Sequence, residues 1–218
     1  MTSTVLEAFG VAAREEKIWT HTRWTLYQLL SDFIIYKPSV HLIVKWRNKL
    51  NRTEWDNAAF VQFRTLISEP EASSLAQFCK LQTQEYDRLI GQHSLRESFY
   101  ASTESQHSAV SASVEYDQAG VILNRTSDEK NDELSMELEF MAVLSERLTE
   151  QGVRSQVECE QLAITQWRFL KQHLLMWVPA FCEEVRNQTA SPLYAALSDL
   201  MDELLTADYR WLDTQVHS

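Results

Sequence analysis

Along most of the chain, apolar residues recur every third or fourth position, the period of a helix buried on one face. From Trp19 to Tyr36 the positions Trp19, Trp24, Leu26, Tyr27, Leu29, Leu30, Phe33 and Ile34 form a wide stripe, which Pro38 closes. Ser39 is placed to cap a second helix, Val40 to about Leu50. A third helix is expected from about Glu54 to Ile67, ahead of Pro70, and a fourth from about Ser73 to Ile90, ahead of Gly91. The stretch Ala101–Ser113 is rich in serine and nearly free of large apolar groups. It reads as a linker or weak helix entry, leading to a short helix that runs to Tyr116 and stops at Gly120.

The second half has a cleaner pattern. Asp132 stands where it could cap a helix running to about Gln151, with Leu134, Leu138, Met141, Leu144 and Leu148 as its stripe and Gly152 as its stop. A long apolar segment follows from Val157 to Trp177, and Pro179 predicts a kink or restart before Phe181 and Val185. Ser191 and Pro192 form an N-cap/N1 pair opening a last helix that carries Leu193, Tyr194, Leu197, Leu200, Met201, Leu204 and Leu205. No segment reads as a strand and no repeat is found. The expectation is an all-α fold: one globular domain, residues 1–218, of about nine to ten helices. Within it, 1–100 is an N-terminal helical half, 101–113 a Ser-rich hinge and 114–218 a C-terminal helical half.

Composition narrows the function classes. Only four glycines occur in 218 residues, Gly10, Gly91, Gly120 and Gly152, so no Gly-rich phosphate-binding loop can be written. The net charge of −11 argues against nucleic acid as a partner. Residues 1–100 carry 12 Lys/Arg against 11 Asp/Glu, whereas residues 101–218 carry 8 against 20, so the excess acid lies in the second half. That asymmetry is either a solvated surface or a face that attracts something cationic. Cys79, Cys159 and Cys182 are scattered, which fits free thiols in a reducing compartment. Met1–Gly10 lacks the basic and apolar regions of a secretory signal, and no window reaches 18 apolar residues. A cytoplasmic protein without stable membrane insertion is expected.

Catalytic patterns fail one by one. The isolated glycines forbid a nucleophile elbow, and the six histidines never pair at i, i+4 as a zincin requires. Glu104-x-x-His107 occurs once, where a di-iron bundle needs two copies. His173, four residues before Trp177 on an apolar helix, reads as a hydrogen-bonded core histidine rather than a ligand. Lys45, Arg47, Lys49 and Arg52 read as the polar face of an amphipathic helix. No catalytic residue, metal ligand or cofactor is assigned.

Between Glu97 and Trp211 a family pattern emerges. The run Asn131-Asp132-Glu133-Leu134-Ser135-Met136-Glu137-Leu138-Glu139-Phe140-Met141-Ala142 resembles the signature of TorD/DmsD-type chaperones, relatives of NarJ. Phe169-x-x-x-His173-Leu174-Leu175-Met176-Trp177-Val178-Pro179-Ala180-Phe181 is similar to that family's F-x-x-x-H-L-x-x-W-x-x-x-F. Glu97-Ser98-Phe99-Tyr100, Tyr116-x-x-x-Gly120 and Ser191-Pro192-Leu193-Tyr194-Ala195-Ala196-Leu197 resemble its remaining blocks, in its order and spacing. The family's Asp-His pair is Asp132-Glu133 here, and the proline before it is Asn131.

The resemblance implies a protein that is not an enzyme: a chaperone that binds the twin-arginine signal peptide and the apo-form of a molybdenum-cofactor oxidoreductase subunit, holding it for cofactor insertion before export. Such a peptide offers two guanidinium groups and then an apolar stretch, so its receptor needs carboxylates beside an apolar groove. Asp128, Glu129, Asp132 and Glu133 precede the helix, with Glu137 a turn further on. Asp132 is the residue carried over as a peptide contact, with Glu133 in the histidine position as a second; Asp132 is equally suited to be the helix cap. The resemblance identifies neither the client nor any loop for guanine nucleotide. It adds a domain-swapped homodimer as a second state of a monomer. The alternative is a general helical adaptor with no signal-peptide specificity.

Overall fold

The helical periodicity is realised in a computed structural model that describes residues 2–91, 95–100, 108–123, 131–150 and 155–217, with side chains described from residue 15 in the first helix and residue 112 in the sixth. Helix α1 spans Thr2–Ile35, α2 Val40–Leu50, α3 Ala58–Ser68, α4 Leu75–Leu89, α5 Glu97–Tyr100 and α6 Ser108–Gln118. Helix α7 spans Leu134–Thr149, α8 Gln156–Phe169, α9 Leu175–Gln188 and α10 Pro192–His217. The described residues contain no strand, only an isolated antiparallel bridge between Arg96 and Glu133.

Side-chain caps set several boundaries. Ser39 accepts from the Leu42 amide at 3.2 Å and starts α2 where expected. Helix α3 begins at Ala58 rather than near Glu54, because Asn57 accepts from the amides of Ala59 and Phe60. Ser155 and Glu158 form a capping box at the start of α8, and Ser191 accepts from the Leu193 amide at 3.2 Å to open α10. Gly120 ends the α6 region with a φ of 58°, the left-handed conformation that glycine tolerates best.

Pro179 does not break the chain. It lies inside α9, and the irregularity falls upstream as a π-helical turn over Leu170–Leu174. The proline removes the amide that Leu175 would otherwise receive, and the wider turn just before it is where the hydrogen-bond ladder changes step.

The two halves do not form separate layers. Helix α1 lies along α7 in the most extensive helix pair, and α10 packs on α3, α8 and α9. One core joins Leu26, Leu30 and Phe33 with Leu138, Phe140, Leu200 and Leu204. A buried polar cluster ties the same helices together. Arg23 donates to Asp208 through Nε at 2.5 Å and Nη2 at 2.8 Å, and Tyr27 donates to Asp208 at 2.7 Å. Gln166 Oε1 accepts from Arg23 and from Ser145, at 2.5 and 3.2 Å. Burial, reinforced by the Asp208 charge, pushes the Tyr27 phenol well above its ordinary range.

Residues 101–107, with Glu104 and His107, lie outside the described residues, but Ser108–Ser113 of the expected hinge is helix, part of α6. The polar face of α2 makes specific bonds: Arg47 donates to the carbonyls of Ile67 and Pro70, Lys45 to Asp32, and Lys49 to Gln28. Among the described residues, no helix is long and apolar enough to cross a membrane.

Candidate functional site

The family-like blocks, far apart in sequence, meet at one place. The Leu134 amide donates to Leu95 O at 2.8 Å and the Glu97 amide to Asp132 O at 2.9 Å, so residues 95–97 and 132–134 pair across a short antiparallel bridge. This fixes the one-turn α5 against the entry of α7. The Tyr116 hydroxyl donates to Asn131 O at 2.7 Å and holds the same entry from α6.

Asp132, the expected peptide contact, is engaged inside this junction. Its side chain is fully buried, and its Oδ1 accepts from Arg96 Nη2 at 3.0 Å and Nε at 3.1 Å. Its Oδ2 accepts from the Ser98 amide at 3.2 Å. Asp132 therefore caps α5, not α7. The cap position of α7 belongs to Glu133, which makes no side-chain cap bond. Burial works to raise the Asp132 carboxyl, but the bonds from Ser98 and Arg96 outweigh it and hold the group below its ordinary value. Glu133 is half-buried beside the bridge. Asp128 and Glu129 lie outside the described residues.

The same junction carries a cluster that sequence reasoning did not assemble. His173, in the π turn, is buried, and its Nδ1 lies 2.8 Å from Glu97 Oε2. It is the hydrogen-bonded core histidine that the pattern suggests. Glu137 is fully buried on α7, and its Oε2 accepts from Trp177 Nε1 at 3.1 Å. Glu97, Glu137 and His173 each place one ligand-capable atom within 4.8 Å of the others. His173 Nε2 and Glu137 Oε1 are buried without a partner among the described residues. Burial, followed by the Glu97 charge, pushes the Glu137 carboxyl well above its ordinary range.

Aromatic rings frame the cluster. Phe169 stacks on His173 at 4.6 Å and Tyr100 stacks on Trp177 at 5.3 Å. The Tyr100 hydroxyl donates to Glu184 at 2.8 Å, and burial together with that carboxylate raises its phenol. The four-residue spacing of Phe169, His173, Trp177 and Phe181 is the visible trace of this arrangement, since such positions share a helix face.

A cleft of about 580 Å³ opens next to the junction, between α1, α2 and α7. Its lining runs from Ser135 and Met136, two and three residues past Glu133, to Glu139, Val143 and Glu146 along α7. Asp32, Ile35 and Tyr36 face it from the end of α1, with Lys45 and Lys49 from α2. Asp32 is bridged to Lys45 at 2.5 Å and accepts from Trp46 Nε1 at 3.0 Å. Burial and the neighbouring Lys45 lower the Lys49 ammonium. The cleft thus brings acidic, basic and apolar side chains together. It depends on the α1–α7 pairing, which no local pattern announces.

The chain is similar in sequence to known proteins. Residues 57–183, more than half of the chain, match the family described as nitrate reductase delta subunit. The chain is 30% identical over 97 residues to the perchlorate reductase assembly chaperone protein of Dechloromonas aromatica, covering 42% of this chain and 41% of that protein. It is also 30% identical over 94 residues to the chaperone protein TorD of Vibrio cholerae, covering 43% of this chain and 42% of that protein. The matched stretch spans about two fifths of each of these curated relatives.

Proposed function

The chain belongs to the nitrate reductase delta subunit family, and from that premise we propose that it is a non-catalytic assembly chaperone for a molybdenum-cofactor oxidoreductase subunit. In this reading it binds the apo-subunit through its twin-arginine signal peptide in the cytoplasm and holds it until cofactor insertion precedes export. The relatives named as an assembly chaperone protein and as a chaperone protein support the class of activity. The observation that carries the peptide specificity is the cleft between α1, α2 and α7, where Glu139 and Glu146 flank Val143 opposite Ile35 and Tyr36. Carboxylates beside apolar side chains are what two guanidinium groups and a following apolar stretch require.

The junction at the head of the cleft supplies the second half of the reading. Asp132 is closed off, whereas Arg96 keeps 39% of its side chain exposed. An incoming arginine reaches Asp132 by exchanging with Arg96, and Glu133 stands beside that exchange. Asp132 and Glu133 thus remain the proposed signal-peptide residues, with Asp132 acting by exchange rather than as an open anion.

Titration of the full chain with a fluorescent peptide carrying two arginines and an apolar segment tests the assignment. Glu139→Gln with Glu146→Gln is expected to weaken binding roughly tenfold or more, because charge-assisted bonds contribute about 1.5–3 kcal/mol each. Equal affinity for a peptide with both arginines replaced by glutamine would overturn the twin-arginine reading. That result would leave a general helical adaptor.

A further inference from the structure

The geometry points to a divalent-metal site of the Zn2+ class formed by Glu97, Glu137 and His173. The three donors come from α5, α7 and the π turn, and one ligand-capable atom of each falls within 4.8 Å of the others, close enough for a single ion to span. A set of carboxylates alone would say little. Here, however, two buried polar atoms, Glu137 Oε1 and His173 Nε2, lack any partner among the described residues, and buried polar atoms are rarely left so.

The local charge balance favours a cation. Glu97 and Glu137 are both buried, and the nearby Arg96 is already committed to Asp132. The imidazole of His173 reaches Glu97 through a 2.8 Å contact. A divalent ion compensates both carboxylates.

The surroundings that orient metal ligands are already in place. Trp177 Nε1 holds Glu137 Oε2, while Phe169 stacks on the imidazole at 4.6 Å and 27°. The donor set of one imidazole nitrogen and carboxylate oxygens suits a first-row divalent ion with water completing the shell. It does not suit Ca2+, which takes about six to eight oxygens, nor a soft ion seeking thiolates. Occupancy would clamp α5 to α7 and to the α8–α9 turn, and α5 carries the Ser98 amide that binds Asp132. The inference is independent of the proposed client and peptide.

The test is calorimetric titration of the chelator-treated full chain with ZnCl2, beside the Glu137→Gln variant. The glutamine carbonyl keeps the Trp177 bond and removes the charge, and circular dichroism checks the fold of the variant. Wild type is expected to bind one buried Zn2+. Glu137→Gln should weaken that event by roughly a hundredfold, since even outer-shell losses cost about 10- to 100-fold. NMR of the wild type gives a readout that needs no variant: Zn2+ should shift the Trp177 indole N–H and the His173 imidazole signals. Affinity unchanged in Glu137→Gln would overturn the site, as would the absence of Zn2+ binding. Shifts confined to exposed histidines such as His21 and His217 would do the same.

Discussion

Asp132 and Arg96 form an asymmetric ion pair, 3.0 Å long, in which the carboxylate is fully buried and the guanidinium keeps 39% of its side chain in solvent. The acid is thereby enclosed, and the base is the partner that solvent reaches. With the Ser98 amide also bound to Asp132, the pair closes the α5–α7 junction that holds Glu97 of the buried cluster.

Removing either member should have different consequences. Asp132→Asn loses the charge assistance of the bonds from Arg96 and Ser98 and should cost about 2 kcal/mol, read as a lower midpoint in urea unfolding. Arg96→Gln should cost a similar amount, because it leaves a buried carboxylate with its positive partner removed. It should also tighten a twin-arginine peptide, since the intramolecular competitor is gone. Weaker peptide binding by Arg96→Gln, in a variant that remains folded, would rule out the exchange.

The Arg23–Asp208 pair makes a sharper stability prediction. Both side chains are fully buried, so Asp208→Asn or Arg23→Met alone should cost about 3–5 kcal/mol by leaving an unpaired buried charge. The double change Arg23→Met with Asp208→Leu should recover a large part of that loss. Additive losses in the double variant, measured by chemical unfolding, would show that the pair is not coupled as drawn.

The helices were legible because their chemistry is local. Ser39, the Ser191-Pro192 pair and the apolar stripes act within a turn or two of their own positions, and α2 and α10 start where those signals put them. The N-terminal edge of α3 lies four residues after Glu54 because the Asn57 side chain, not the apolar stripe, sets where the helix begins. The candidate site was legible only as separate blocks. That Asp132 caps α5 rather than its own helix follows from the bridge between residues 95–97 and 132–134, a pairing with no sequence period. Glu97, Glu137 and His173 escaped notice as a set for the same reason, since metal-ligand patterns assume ligands a few residues apart. Their hydrogen bonds instead span 76 residues from Glu97 to His173 and 40 from Glu137 to Trp177.

Acid should weaken the fold partly through Glu85. Its carboxylate accepts from Arg88, from the Thr189 hydroxyl at 2.7 Å and from the Ala190 amide at 2.8 Å, tying α4 to the α9–α10 turn. The Arg88 bonds above all, aided by those from Thr189 and Ala190, hold it down at about 2, against an ordinary 4.5. A depressed folded-state value means that its contribution is complete above pH 4.5 and is lost as pH falls toward 2. Glu85→Gln should therefore cost about 1–2 kcal/mol at pH 7, and the gap from wild type should narrow below pH 4.5. A gap of constant size from pH 7 to pH 3 would show that Glu85 contributes through shape rather than charge.

The interleaving of the halves governs what happens when the chain is cut. We expect a specific protease site engineered into residues 101–107 to yield two fragments that remain together, because α1 is packed along α7 and α3 against α10 across the cut. The Arg23–Asp208 and Tyr27–Asp208 bonds also cross it. Neither fragment alone buries its own apolar faces, so each separately expressed half should be poorly folded, and mixing should restore helical signal. The same packing bears on the proposed swapped homodimer. Residues 114–218 of one chain could replace those of another only by rebuilding both helix pairs, so exchange should be slow and should follow near-complete opening rather than local fraying. Size-exclusion chromatography with light scattering, after incubation at rising concentration and mild denaturant, reads the dimer. Cut fragments that separate in native buffer, or halves that fold alone, would mean that the α1–α7 and α3–α10 faces do not hold the molecule together.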